Sequence, residues 1–202
     1  MTPDDNAPAP TLLQRLFTHK LVFWHAFLIA IVLDLATKVW AERTVRPVDP
    51  EKIDVIPGIL AWKWAENLGA AFSIFHGRTE LLVLIAFGVT SGVVIYMFRT
   101  PRDHKWFLLA LGLIAGGAIG NLHDRFLLGH VRDFILFDFD LPFHTWRPTF
   151  FWSDKPSAPI PQRWPIFNVA DMAINGGVIV LLVISLFSKD QKKESKKPEA
   201  KS

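Results

Sequence analysis

Four apolar runs decide what this chain can fold into: residues 21–41, 81–98, 106–122 and 167–187. The hydrocarbon core of a bilayer is about 30 Å thick, and an α-helix crosses it in about 20 residues. The first and last runs meet that length, and the middle two lie at its short end. A helix in lipid satisfies its own backbone hydrogen bonds, so each run is predicted to be a membrane-spanning helix. The first contains His25, Asp34 and Lys38 and lacks a small-x-small cleavage site, so it reads as a retained span rather than a removed leader. Composition agrees. Half of the 202 residues are hydrophobic and only 20% are charged, and the mean hydropathy of +0.27 is high for an ordinary soluble domain.

Lysine and arginine near the span ends set the orientation. Arg15 and Lys20 precede the first span, Arg99, Arg102 and Lys105 connect the second to the third, and six lysines fall in residues 189–202. With four spans these segments share one side, which the positive-inside rule makes the cytoplasm. Residues 1–18, polar and proline-rich, read as a mobile cytoplasmic tail, 19–188 as the membrane domain, and 189–202 as a second cytoplasmic tail. A basic tail beside a span points to the anionic membrane face rather than to nucleic acid. Two outer loops remain, 42–80 and 123–166. Alternating stretches at 52–56 and 60–64 flank Pro57-Gly58, a pattern for a small strand element at the membrane surface.

Polar groups inside lipid are costly, about 2.5–3.5 kcal/mol for a charge at a helix centre on insertion scales. Asp34 and Lys38, Asn121 and Asp124, and Asn168 and Asp171 stand on three different spans. With the topology above, all of them lie within about 10 Å of the outer interface. Each has a plain structural reading. Asp34 and Lys38, spaced i, i+4, neutralise one another. Asp124 beside Arg125 is an interfacial charge pair. Asp133 is an ordinary loop acid. Asp171, a lone acid in an apolar helix, is the hardest to explain structurally.

Other hydrolytic devices are missing from the sequence. There is no cysteine, no His-Glu-x-x-His zinc helix and no serine in a nucleophile-elbow or Ser-x-x-Lys setting. His123, Asp124, His130 and Asp133 have a spacing that matches no familiar metal site. Paired aspartates remain, sharing one proton between base and acid. A small transporter is the competing class. It is expected to carry polar residues through the full depth and repeated halves. Here the inner halves of the spans are nearly free of charge, and no repeat is visible.

Five motifs, in order, resemble the boxes of bacterial lipoprotein signal peptidases (signal peptidase II). They are Asp34-Leu-Ala-Thr-Lys38, Asn67-Leu-Gly-Ala-Ala-Phe72, Gly116-Gly-Ala-Ile-Gly-Asn-Leu-His-Asp-Arg125, Gly129-His-Val-Arg-Asp-Phe134 and Phe167-Asn-Val-Ala-Asp171. The resemblance implies an all-α membrane protein of the bacterial inner membrane. It would have four transmembrane helices, both termini cytoplasmic, a small periplasmic β-cradle and a periplasmic helix from the first outer loop. It implies an aspartyl endopeptidase that cuts diacylglyceryl-modified prolipoproteins just before the lipid-bearing cysteine, needs no metal or cofactor, and is blocked by the cyclic peptide globomycin. It makes Asp133 and Asp171 the catalytic pair. Asp34, Lys38, Asn67, Gly69, Asn121, Asp124, Arg125 and Asn168 match supporting positions, with Asn121, Arg125 and Asn168 orienting the dyad or the substrate backbone. Membrane lipids are the expected surroundings and prolipoproteins the expected partners. The chain departs from the pattern in a longer connection between the two catalytic boxes, beyond the normal length for a structureless loop. Its aromatic residues, Trp146 to Trp164, are expected to rest on the outer leaflet.

Overall fold

The structure, a computed structural model, describes residues 20–69, 79–139 and 164–194. Residues 1–19 and 195–202, the end of the second box (Ala70 to Phe72), the helix expected from the first outer loop and the aromatic residues Trp146 to Trp152 lie outside the described residues, while 189–194, the start of the expected second tail, continue the last helix. Four helices and three strands make up the rest: α1 (Leu21–Thr44), β1 (Ile53–Ile56), β2 (Leu60–Asn67), α2 (Thr79–Arg99), α3 (Lys105–Leu128), β3 (Val131–Phe137) and α4 (Val169–Glu194).

Three segments are long and apolar enough to cross a membrane: Leu21–Val48, made of α1 and the turn that follows it, Lys105–Leu128 in α3 and Val169–Phe187 in α4. The apolar part of α2, Val83–Arg99, is shorter. Large apolar side chains cover the outside of the bundle, among them Leu28, Val32, Leu84, Phe87, Val183 and Phe187. So broad an apolar belt suits a lipid neighbour and not water.

The third helix runs past its expected sequence boundary. It does not stop near Leu122 but runs on to Leu128, carrying His123, Asp124 and Arg125 in helix. These charges do not end it because Asp124 and Arg125 find partners inside the fold. Gly129 ends it instead, in the left-handed conformation at φ 77°, with its N–H bonded to Arg125 O. Glycine adopts that conformation without steric cost. The chain then enters β3 two residues later.

Helix α3 is the centre of the bundle, packed against α1, α2 and α4. Small residues permit the close approach. A Cβ on Gly116 would lie 2.6 Å from the Phe27 carbonyl oxygen of α1, and a Cβ on Gly120 would run into the Asp34 carboxylate.

Strands β1, β2 and β3 form one antiparallel sheet in that order. The first two fall where the alternating stretches of the first outer loop place them. The third comes from the second outer loop, so Asp133 stands on a strand and not, as expected, in a loop. The outer edge of β3 is covered by Phe167, whose N–H and C=O bond to Ile135 at 3.0 and 2.8 Å. Trp40 of α1 packs edge-on against Trp62 of β2. Ala41, Val45, Trp64, Phe134 and Ile135 form a core beneath the sheet. The sheet therefore sits on the end of the bundle where α1 and α3 finish and α4 begins.

Candidate active site

The start of α4 organises the site. Asn168 stands at its N-terminal boundary and Asp171 three residues on. The Asp171 N–H donates to Asn168 Oδ1 at 3.0 Å, and the Asn168 N–H donates to Asp171 Oδ2 at 3.1 Å. This reciprocal pair is a capping box, satisfying donors that a helix start leaves free. A further free donor, the Ala170 N–H, is bonded to Asp34 Oδ1 at 2.9 Å. Two carboxylates thus converge on the positive end of one helix dipole.

Asn168 also reaches across to the sheet. Its Nδ2 donates to Asp133 Oδ1 at 2.6 Å. Asn168 therefore bonds the Asp133 carboxylate with its side chain and the Asp171 carboxylate with its backbone N–H. The second oxygen of Asp133 accepts from Asn67 Nδ2 at 2.9 Å, and Asn67 Oδ1 in turn accepts the Gly69 N–H at 3.0 Å. The second oxygen of Asp171 accepts from Asn121 Nδ2 at 2.8 Å. Asn121 Oδ1 receives Lys38 Nζ at 3.0 Å and Asn168 Nδ2 at 3.1 Å. Because Lys38 can only donate, Asn121 must turn its oxygen to Lys38 and its NH₂ to Asp171.

Beneath this network lies a dry charge cluster. Lys38 Nζ is 2.7 Å from Asp34 Oδ2 and 3.3 Å from Asp124 Oδ2, with all three side chains 0% exposed. Asp34 and Lys38 do pair as the i, i+4 spacing indicates. Asp124 does not pair with Arg125. Its two oxygens take Arg132 Nη2 at 2.7 Å and Nε at 3.1 Å, together with the Arg132 N–H at 3.1 Å. Arg132 Nη1 continues to Glu42 at 2.9 Å. Neighbouring residues on a helix point in different directions, so Asp124 and Arg125 diverge. Arg125 instead donates to the Gly69 carbonyl at 3.1 Å. The Asp124–Arg132 fork fixes the start of β3 and, one residue on, the position of Asp133. Arg132 is a supporting residue that the sequence reading missed.

Asp133 is 2% exposed. Burial, and then the negative charge of Asp171, push its carboxyl up to about 7. The Asn67 and Asn168 amides and the Lys38 charge oppose that rise. Near neutral pH the group is therefore about half protonated, as a shared-proton pair requires.

A cleft of about 490 Å³ opens onto Asp171 and its partner Asn121, while Asp133 and Asn168 are not part of its lining. Asn67, Asn121, Arg125 and Asp171 line its polar end, and Ile85, Ala86, Val89, Ala118 and Ile174 line the rest. Trp164, from the end of the aromatic loop, and Asn175 also face it. The structure thus brings all ten sequence-selected residues to one end of the bundle.

Fold and site together define a multi-pass membrane protein in which Asn168 bonds two acids, Asp133 by its side chain and Asp171 by its backbone N–H, with Asp171 lining a mostly apolar cleft. The family described as Signal peptidase (SPase) II matches residues 26–187. Relatives named lipoprotein signal peptidase include that of Gloeobacter violaceus, 35% identical over 89% of this chain and 90% of its own. That of Pseudomonas putida is 37% identical over 84% and 90%. Two solved structures titled as bacterial membrane enzymes share the fold. One has a TM-score of 0.63 at 24% identity, covering 92% of this chain and 94% of the other. The other has a TM-score of 0.62 at 25% identity, covering 84% and 92%. The chain belongs to the signal peptidase II family, whose members are aspartic-type peptidases.

Proposed function

We propose that this chain removes the signal peptide of diacylglyceryl-modified prolipoproteins, cutting before the lipid-bearing cysteine, with Asp133 and Asp171 as its catalytic pair. The observation that carries the reading is Asn168, bonded to Asp133 through its side chain and to the Asp171 carboxylate through its backbone N–H, beside a mostly apolar cleft that Asp171 lines. Such a cleft suits a substrate that is peptide at one end and acyl chain at the other.

Asp171 lines the cleft and acts as the base, taking a proton from the attacking water. Asp133, protonated at the start, gives its proton to the scissile carbonyl oxygen as the water oxygen bonds to carbon. The tetrahedral intermediate then collapses. Asp171 passes its proton to the leaving nitrogen, and Asp133 recovers its own as the carbonyl re-forms. Asn67, Asn121 and Asn168 hold the two carboxyls in register. Arg125, braced on Gly69, keeps donors in the cleft for the substrate backbone. Lys38 is a positioning residue, acting on Asp171 through the orientation of Asn121. Asp34 and Asp124 hold Lys38 in place.

All four helices span the membrane in this reading, α2 included. Both termini and the two polar tails lie in the cytoplasm, and the sheet and active site lie at the periplasmic face of the inner membrane. The arginines between α2 and α3 and the lysines after α4 support that orientation.

The test is incubation of the purified protein with a diacylated prolipoprotein and with its unlipidated precursor, read as a gel shift. Cleavage of the lipidated form alone, blocked by globomycin, is the expected result. Equal cleavage of both forms, or of neither, overturns the reading.

A further inference from the structure

Asn175 has no part in the machinery described so far. It stands four residues after Asp171 on α4, so it shares that face of the helix and lies about 6 Å further along the axis. It is the only polar side chain of α4 between Asp171 and Ser185. It faces the cleft beside Ile85, Val89, Ala118 and Ile174. Among the described residues its amide makes no hydrogen bond, not even back to its own helix. Asparagine is a poor helix former, and an unpaired amide in lipid is costly. An exposed amide in the wall of a cleft is free to take a ligand there.

We propose that Asn175 donates to the ester carbonyls of the substrate's diacylglyceryl group, making the enzyme selective for ester-linked over ether-linked lipid. The inference rests on the reading of the site as a prolipoprotein peptidase. From the scissile nitrogen through Cα, Cβ, sulfur and two glycerol carbons to the nearer ester oxygen is about six bonds, a reach of about 7 Å, and its carbonyl oxygen is two bonds further, within the length of an asparagine side chain. That matches the step from Asp171 to Asn175. The diacylglyceryl group offers acceptors and no donors, and Asn175 offers two donors. Beyond the esters the acyl chains need only apolar walls, which Ile85, Val89 and Ile174 supply. The peptide near the scissile bond is served instead by the polar end of the cleft, at Asn67, Asn121 and Arg125. A backbone carbonyl is the other acceptor that could reach an amide at this depth, and the test separates the two.

Two lipopeptides of one sequence, one with two ester-linked chains and one with two ether-linked chains of equal length, are compared on the wild type, Asn175→Ala and Asn175→Leu. A neutral hydrogen bond is worth a few-fold to about tenfold in binding. The wild type is expected to favour the diester by about fivefold in kcat/KM, mostly through KM. In both variants that preference should fall to about one, with cleavage of the diether unchanged. A variant that loses both substrates equally places Asn175 on the peptide and overturns the proposal. So does a preference that survives in both variants, or a wild type without one. If the wild type cuts neither lipopeptide, the proposed function fails and not merely this refinement. Two apolar replacements guard against one of them failing to insert.

Discussion

Replacing Lys38 with methionine keeps the length of the side chain and removes its charge. Lys38 Nζ lies 2.7 Å from Asp34 and 3.3 Å from Asp124, and none of the three side chains is exposed. After the change the two acids fare differently. Asp124 keeps the two-pronged contact with Arg132. Asp34 keeps only the Ala170 N–H. Breaking a buried ion pair by removing one partner costs about 3–5 kcal/mol, because the other charge is left uncompensated. For a protein of this size that corresponds to a fall in Tm of about 10 °C. The assay is thermal unfolding in detergent. Lys38→Met should show the loss, and Lys38→Met with Asp34→Asn should recover most of it, since the orphaned charge is then gone. Lys38→Met with Asp124→Asn should recover little, because that change leaves Asp34 charged and strips Arg132 of its partner. The rescued double variant should still turn over slowly, as Lys38 no longer holds the Asn121 oxygen away from Asp171. If Lys38→Met is as stable as the wild type, or if Asp124→Asn rescues as well as Asp34→Asn, the charge cluster does not work as described.

Other predictions concern proton balance and topology. Asp133 is raised to about 7 in the fold from an ordinary 3.8. Its protonated form therefore favours the folded state, and that contribution is complete below about pH 4 and lost as pH rises through 7. The gap is worth up to about 4 kcal/mol. Wild-type stability should decline between pH 4 and 7, and Asp133→Asn should flatten the decline; an unchanged slope in Asp133→Asn would assign it to other groups. The same proton should set the alkaline limb of kcat/KM near pH 7, with a bell-shaped profile belonging to the pair; activity that keeps rising to pH 9 would remove Asp133 as the acid. Reporter fusions after Lys189 and within residues 99–105 should read cytoplasm, and fusions near Lys63 and Lys155 periplasm; a periplasmic C-terminal tail would invert the site.

The helices and the convergence of polar residues were legible because lipid is an unforgiving solvent. A carboxylate such as Asp171 in an apolar run stands out, and span direction alone brings Asp34, Asn121 and Asn168 to one depth. The hairpin of β1 and β2 was legible from alternation around Pro57-Gly58. Strand β3 was not. It is buried along nearly its whole length, on both faces, so Val131–Phe137 shows no alternation, and it follows α3 after only two residues. The pairing of Asp124 with Arg132 was hidden because it joins a helix end to a strand start, whereas the adjacent Arg125 invited a local reading that helix geometry excludes. The Asn168–Asp171 capping box could have been found: a short polar residue, an acid three positions on and an apolar run beyond it mark a helix start. Asn175 offered only a lone amide in an apolar helix, and nothing local showed that it faces a cleft.

The most direct test of the account is cleavage of a diacylated prolipoprotein by Asp133→Asn, Asp171→Asn, the double variant and Asp124→Asn. The single catalytic-pair variants are nearly isosteric and should insert, bind the lipidated precursor and lose nearly all cleavage. Because the pair acts as one unit, the double variant should be little worse than either. Asp124→Asn should lose stability through Arg132, while whatever remains folded keeps the chemistry. Substantial cleavage by Asp133→Asn, together with complete loss in a folded Asp124→Asn, would show that Asp171 works with a different partner.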